Sequence, residues 1–322
     1  MSTLRESFLS LFPKFYHGEI MLNRRQNKAA IIFEDLEARG YKMSEKRSFL
    51  DYEHLALMMR KLGEFHAYSY KAKNTIPDSF YPMANMFQEI NSLLICKQFS
   101  FITQRVPYRG LKFSQQHSKL EQYADRLREL VGKSDDIFRQ VLTKDGDNPI
   151  SVITHGDYLR GNLMFRYKNG IPDDLIIIDM DSYRYASPVV DLAIPLYLNV
   201  DQATRDKYWD KLIDEYYTSL KNTFPDNKVP SKDQILSDFV GKSFYAYVVA
   251  SYFLPLMIAK DGNKAFSDDV DSDIVKKFLN LDLDKIPMEM WFDLYMQVGG
   301  ERGTQALNDI LQDMIDRKFI CT

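Results

Sequence analysis

One short segment constrains the fold of this 322-residue chain more than any other. Leu163–Tyr167 and Leu175–Ile178 are apolar runs of strand length, and Asn169-Gly170 stands between them. Asn-Gly is the pair a tight hairpin turn favours, because both of its central positions need positive φ. The neighbouring chain has a different period. Leu55, Met58, Leu62 and Phe65 recur at helical spacing within Asp51–Tyr70, and Asp51 is placed to cap that helix. His54 and His66 fall inside it and receive no role. Residues 75–150 read as mostly helical, with a break at Gly146, Asn148 and Pro149. Helical patterning resumes after Pro188 over Asp201–Leu220, Ser231–Ala259, Ser272–Leu281 and Trp291–Ile320. Ahead of all this, Ser7–Phe15 reads as a short helix ending near Pro13. Ala29–Leu36 reads as a strand broken by Gly40, and Ile150–Thr154 as a further β-branched strand. The expected fold class is α+β, a small hairpin set among long helices with two or three strands before it.

Charge and composition remove several function classes. The net charge is -3 and the pI near 6.0, with no basic stripe of the kind a nucleic-acid binder carries. Met1–Arg5 lacks the apolar core of a signal peptide. The longest apolar stretch, Ala246–Ala259, is interrupted by Pro255 and falls short of the ~20 residues a membrane span needs. Cys96 and Cys321 are far apart and lack metal-like spacing, which points to a reduced, cytoplasmic setting.

The chemistry concentrates in Thr154-His155-Gly156-Asp157-Tyr158-Leu159-Arg160-Gly161-Asn162, followed by Ile178-Asp179-Met180-Asp181 and then Ser187-Pro188 with Asp191-Leu192. Asp157 lies in a tight loop after a strand, where Gly156 permits the turn. Asn162 enters the hairpin and Asp179 leaves it, so closing the hairpin brings the two together. An amide oxygen and a carboxylate facing one pocket suit Mg²⁺, which uses few protein ligands and keeps phosphate oxygens and water. Asp157 then stands beside the metal pair, placed to accept a proton from an incoming hydroxyl. This is the positioning-plus-electrostatics arrangement of phosphoryl transfer.

The run His155-Gly-Asp-x-x-x-x-Asn162, then Ile-Asp179, then Ser-Pro-x-x-Asp191-Leu, resembles the aminoglycoside phosphotransferase and choline kinase group. Within that group it resembles the ecdysteroid kinase-like, or CHK kinase-like, family. Ile32-Phe33-Glu34-Asp35-Leu36 with Gly40-Tyr41 looks like that family's hinge, and Leu62-Gly-Glu-Phe65-His66-Ala67 like its next helix. The resemblance implies a protein-kinase-like fold, with 1–40 as a remnant of the N-terminal β lobe plus hinge and 41–322 as the helical catalytic lobe. It also implies ATP and Mg²⁺ as cofactors, Asp157 as catalytic base, and Asn162 and Asp179 as metal ligands. His155 would order the loop and Asp191 would anchor it as a structural residue, while the Glu34, Asp35 and Leu36 hinge would border adenine. Only eleven residues separate Asp179 from Asp191. That leaves no room for a protein kinase's activation segment. The expected acceptor is a hydroxyl of a small molecule, a sterol-like or xenobiotic alcohol bound among the C-terminal helices.

Four departures qualify the resemblance. Leu159 stands where the family usually has Trp, Gly161 where it has Asn, and Asp181 where Gln is common. About thirty residues precede Phe33, with no glycine-rich loop and with Lys14 and Lys28 in the wrong context for a phosphate-binding lysine. The alternative reading is therefore a catalytically impaired fragment or pseudokinase that binds a ligand or partner. Weak Mg-ATP binding, slow turnover and reduced solubility are expected of these 322 residues. Asp269, Asp271 and Asp273 alternate like the start of a calcium loop, but Ile274 occupies the position of its required glycine.

Overall fold

The computed structural model describes residues 2–22, 27–46, 49–86, 97–113, 118–143, 148–226, 228–261 and 287–321. The chain opens with α1 (Ser2–Leu9), β1 (Phe15–Leu22) and β2 (Asn27–Phe33). The expected helix over Ser7–Phe15 is displaced. It begins earlier and stops at Leu9, and Phe15 opens a strand. Pro13 is the physical reason, since the residue before a proline is pushed out of the helical region. β1 and β2 form an antiparallel ribbon with Phe15 opposite Phe33 and Ile20 opposite Ala29. Neighbouring Ile31 and Ile32 point to opposite faces, yet are 63% and 53% exposed. Neither face of the ribbon is covered by the described residues.

A 3₁₀ turn, Glu37–Arg39, ends at Gly40 in the left-handed region (φ 80°) and leads into β3 (Tyr41–Lys42). Then comes α2 (Tyr52–Thr75), whose cap Asp51 accepts a hydrogen bond from the backbone of His54. The intervening helices are α3 (Pro77–Met86), α4 (Lys97–Arg105), α5 (Ser118–Gln122), α6 (Ala124–Gly132) and α7 (Ser134–Leu142). β4 (Val152–Thr154) pairs antiparallel with β7 (Arg184–Ala186). Between them, β5 (Leu163–Lys168) and β6 (Ile171–Ile177) form the hairpin, with β3 on its edge. Both turn residues take the positive φ their identities suit, 53° at Asn169 and 79° at Gly170.

The helical body follows with α8 (Val189–Leu198), α9 (Gln202–Thr223), α10 (Lys232–Lys242) and α11 (Phe244–Asp261). The single helix expected over Ser231–Ala259 is two, bent by 62° at Ser243. The bend follows Gly241 and Ser243, both poor helix formers, and lets α11 drop into the core. The helix expected over Trp291–Ile320 is likewise two, Met288–Gln297 and Gly300–Asp316. Gly299 breaks it at φ 74°, and a Cβ there would lie 2.6 Å from the Pro255 carbonyl oxygen. No single described helix is long and apolar enough to cross a membrane. The bent α10–α11 pair passes by length and composition alone, and α11 spends its apolar residues Phe244 to Leu254 largely on the core. Cys96, Ser272–Leu281 and the Asp269–Asp273 run lie outside the described residues.

One close contact sets the spacing of the body. α2 and α9 cross at Gly63, where a Cβ would stand 2.2 Å from the Tyr216 carbonyl oxygen. Gly63→Ala gains helix propensity but forces the two backbones apart. We expect a net destabilisation of about 1–3 kcal/mol, read as a lower urea midpoint. An unchanged or raised midpoint would show that the crossing relaxes freely.

Candidate active site

The loop His155–Asn162 hangs from β4 and is fixed from below by Asp191, in the first turn of α8. All ten residues of α8 are buried. Fully buried Asp191 accepts hydrogen bonds from the backbone N–H of His155 (2.6 Å) and of Gly156 (2.8 Å). His66 Nε2 also bonds it at 3.0 Å, and His66 Nδ1 bonds the Tyr216 hydroxyl at 2.9 Å. A carboxylate accepts only, so Nε2 carries a proton here. Gly156 is required twice over. Its φ is 84°, and a Cβ would lie 2.0 Å from the Ser182 carbonyl oxygen. Buried Arg184 donates to that same oxygen through Nε and Nη2, fixing the far side of the contact. His155 ties the loop to the hairpin. Its Nε2 donates to the Ile178 carbonyl oxygen at 2.9 Å, leaving Nδ1 to accept from the Asp157 backbone N–H at 3.3 Å.

Asp157 and Asn162 come together directly. Asn162 Nδ2 donates to the Asp157 carboxylate at 2.8 Å and to its carbonyl oxygen at 2.9 Å. The Asn162 carbonyl oxygen in turn accepts from the Ile178 backbone N–H at 3.0 Å, so the two hairpin ends are joined one residue before Asp179. Asp179 sits at φ 62°, an uncommon conformation that Asp tolerates better than most residues. Its side chain is exposed and not buried in the cleft as Asn162 is. Burial pushes the Asp157 carboxyl above the usual aspartate range; Asn162 and His155 oppose the shift, and the charges of Asp179 and Asp181 add to it. All three carboxylates therefore share one electrostatic neighbourhood.

The donor set fits a hard divalent cation. With Nδ2 spent on Asp157, the Asn162 amide is left with its oxygen as the remaining donor atom. Asp179, exposed at the adjoining hairpin end, would be the carboxylate nearest in sequence to complete such a pair. Among the described residues no group of three His, Cys, Asp or Glu side chains forms a metal cage.

The expected hinge packs against the same hairpin. Leu36 is buried with Tyr41 and Ile176, and Ile178 packs on that cluster. Asp35 Oδ1 accepts from the Glu37 and Ala38 backbone N–H groups, which starts the 3₁₀ turn. Glu34 Oε1 accepts from the Lys14 backbone and from Arg39 Nη1. Of the three, only Leu36 turns into the hairpin. At the departures, a Cβ on Gly161 would meet Leu159 Cδ1 at 2.9 Å, so these two positions are coupled in size. Asp181 accepts from the Ser182 hydroxyl at 2.9 Å.

Sequence reasoning gave no role to His66, although its place beside Leu62 and Phe65 on the buried stripe was a usable signal. A buried imidazole must find partners. Two tyrosines of α11 were also missed. Burial raises Tyr245 and Tyr252 above the usual phenol range, and the Asp157 charge adds to both, which puts α11 within electrostatic reach of the loop.

Lys73 is a third omission. It donates to the carbonyl oxygens of Pro149 (2.8 Å) and Ser151 (2.6 Å), pinning the segment that feeds β4. Burial pulls its amine down to about 8 from an ordinary 10.5. The charged form is thus the costly one in the fold. Below pH 8 the amine is charged in both folded and unfolded chains, and the cost is carried in full. Above pH 8 the folded chain has released the proton while the unfolded chain still holds it. Stability from this group therefore rises with pH toward 10.5, by at most ~1.4 kcal/mol per unit. Urea midpoints between pH 7.5 and 9.5 should rise in the wild type relative to Lys73→Met. Parallel curves would remove Lys73 as the cause.

The sequence profile of the ecdysteroid kinase-like family matches residues 3–228. A search of curated protein sequences finds no match. Among solved structures, amicoumacin kinase hAmiN in complex with AMP-PNP, Ca²⁺ and Ami is 12% identical with a TM-score of 0.44, over 96% of this chain and 78% of that one. The AMP-bound spectinomycin phosphotransferase APH(9)-Ia is 14% identical with a TM-score of 0.42, over 91% and 82%. An ethanolamine kinase from Plasmodium vivax is 13% identical with a TM-score of 0.37, over 80% and 66%. Likenesses this distant carry none of the weight; the profile match over most of the chain does. The chain belongs to the ecdysteroid kinase-like family.

Proposed function

We propose that this chain transfers the γ-phosphoryl group of ATP to a hydroxyl of a small molecule, a sterol-like or xenobiotic alcohol, in the cytoplasm. The observation that carries the reading is the Asn162–Asp157 contact at 2.8 Å, in a loop anchored by buried Asp191, with Asp179 at the joined hairpin end. Asp157 orients the acceptor hydroxyl and takes its proton. Asn162 fixes the Asp157 rotamer, and its oxygen with Asp179 would hold Mg²⁺. Bound there, the cation supplies charge neutralisation at the β- and γ-phosphates. Glu34 to Leu36 border the adenine, and α11 forms the wall on the acceptor side. The short Asp179–Asp191 connection favours a small acceptor over a peptide.

The test is ADP release in the presence of Mg-ATP and panels of sterols, phenols and amino alcohols. Acceptor-dependent release in the wild type, lost in Asp157→Asn, supports the reading. Release with no acceptor preference and no dependence on Asp157 would refute it. One observation favours a second reading, a ligand-binding protein impaired in turnover. Among the described residues β1 and β2 pair only with each other, and the sequence joining them, Asn23-Arg24-Arg25-Gln26, contains no glycine. Thermal stabilisation by Mg-ATP without acceptor-dependent turnover would select that reading.

A further inference from the structure

A cavity of about 540 Å³ opens beside the turn that follows Asp179, on the side where the N-terminal segment docks. Its wall is aromatic: Phe8, Phe12, Phe65, Tyr68, Phe80 and Tyr183. The rings are organised among themselves. Phe8 meets Phe12 and Tyr68 edge-on, each at 5.2 Å between centroids, and Phe12 meets Phe65 at 5.9 Å. The segment holding Phe8 and Phe12 is fixed by a backbone bond, in which the Ile177 N–H donates to the Leu11 carbonyl oxygen at 2.9 Å. The cavity therefore bridges the N-terminal segment, the face of α2, Phe80 and Met83 of α3, Ile153 of β4, and Met180 with Tyr183 on either side of Asp181 and Ser182.

We propose that this cavity is a binding site for a neutral, multi-ring apolar small molecule; Asp157, Asn162 and Asp179 do not line it, and the proposal is independent of the phosphoryl-transfer reading. The volume falls within the roughly 300–1,000 Å³ of small-molecule sites, which are lined mainly by apolar and aromatic side chains with few polar groups. The polar groups here are largely spent. Ser69 Oγ accepts from the Ile153 backbone N–H at 2.9 Å, and Thr75 Oγ1 donates to the Lys71 carbonyl oxygen at 2.9 Å. A ligand rich in hydroxyls or amines finds few partners in such a wall, whereas fused rings find edges and faces to pack against. Among the described residues of the lining Lys71 is the one that carries a charge, and it is only partly buried. Filling the cavity would clamp Phe8 and Phe12 against Met180 and Tyr183.

The probe is N-phenyl-1-naphthylamine, titrated into the full chain and read by its fluorescence, with the thermal midpoint as second readout. Saturable one-site binding is expected, together with a midpoint that climbs with probe concentration, since a ligand that binds only the folded state stabilises it. Thr75→Trp and Met83→Trp, at exposed positions on the cavity rim, should each weaken binding at least tenfold. If one variant fails to fold, the other decides. Ile31→Lys on the exposed β1–β2 ribbon should leave binding unchanged. Wild-type affinity in the rim variants, loss of binding in Ile31→Lys, or absence of saturable binding would each overturn the proposal.

Discussion

Asp157→Asn should lower kcat by about 10²–10⁴-fold, the usual contribution of a positioned general base, while Mg-ATP affinity stays within a few-fold of wild type. The substitution keeps the size of the side chain and leaves an oxygen for Asn162 Nδ2, which donates to the carboxylate at 2.8 Å. What it removes is the proton acceptor. Loop geometry is held from elsewhere, by Asp191 on His155 and Gly156 and by His155 on Ile178. A fall in kcat with unaltered nucleotide binding thus isolates the chemical step. The measurement is acceptor-dependent ADP release beside calorimetric titration with Mg-ATP. Unchanged turnover would take Asp157 out of the mechanism.

Asp191→Ala should produce the largest loss of stability in the chain. The carboxylate satisfies three buried donors at once: the backbone N–H groups of His155 and Gly156, and His66 Nε2. Alanine orphans all three, and each unsatisfied buried donor costs about 1–3 kcal/mol. A loss of roughly 3 kcal/mol or more is expected, with activity falling alongside because the loop is no longer held. Asp191→Asn keeps one accepting oxygen and should lose less. Urea midpoints of the two variants give the ordering. A midpoint for Asp191→Ala within experimental scatter of wild type would mean the loop is anchored by something else.

The parts of this protein that are legible in the sequence are those fixed by local chemistry. Asn169-Gly170 announces its turn because few other pairs take positive φ at both positions. Asp51 announces the start of α2 because a short acceptor side chain suits a helix N-terminus. The loop from His155 to Asn162 is legible as a loop because its spacing is short and Gly156 marks the backbone reversal, at φ 84°. Long-range contacts are different. His66 bonds Asp191 from 125 positions away, and nothing in the helix period names that partner. The contact of Gly156 with Ser182 depends on β4 pairing with β7. Helix ends were misjudged at Leu9, Ser243 and Gly299, where proline, serine and glycine override an otherwise continuous apolar pattern. Nothing in the sequence marks Lys73, which only the fold places, partly buried, against the Pro149 and Ser151 carbonyl oxygens.

The most direct test of the phosphoryl-transfer site is the metal dependence of nucleotide binding, because it does not require knowing the acceptor. ATP is titrated into the wild type, Asp179→Ala and Asp157→Asn, with and without Mg²⁺. Metal ligands at Asn162 and Asp179 require that Mg²⁺ tighten ATP binding in the wild type and in Asp157→Asn, and that Asp179→Ala lose most of that gain. If Asp179→Ala keeps the full Mg²⁺ enhancement, the hairpin end does not hold the metal and the site as assigned is wrong.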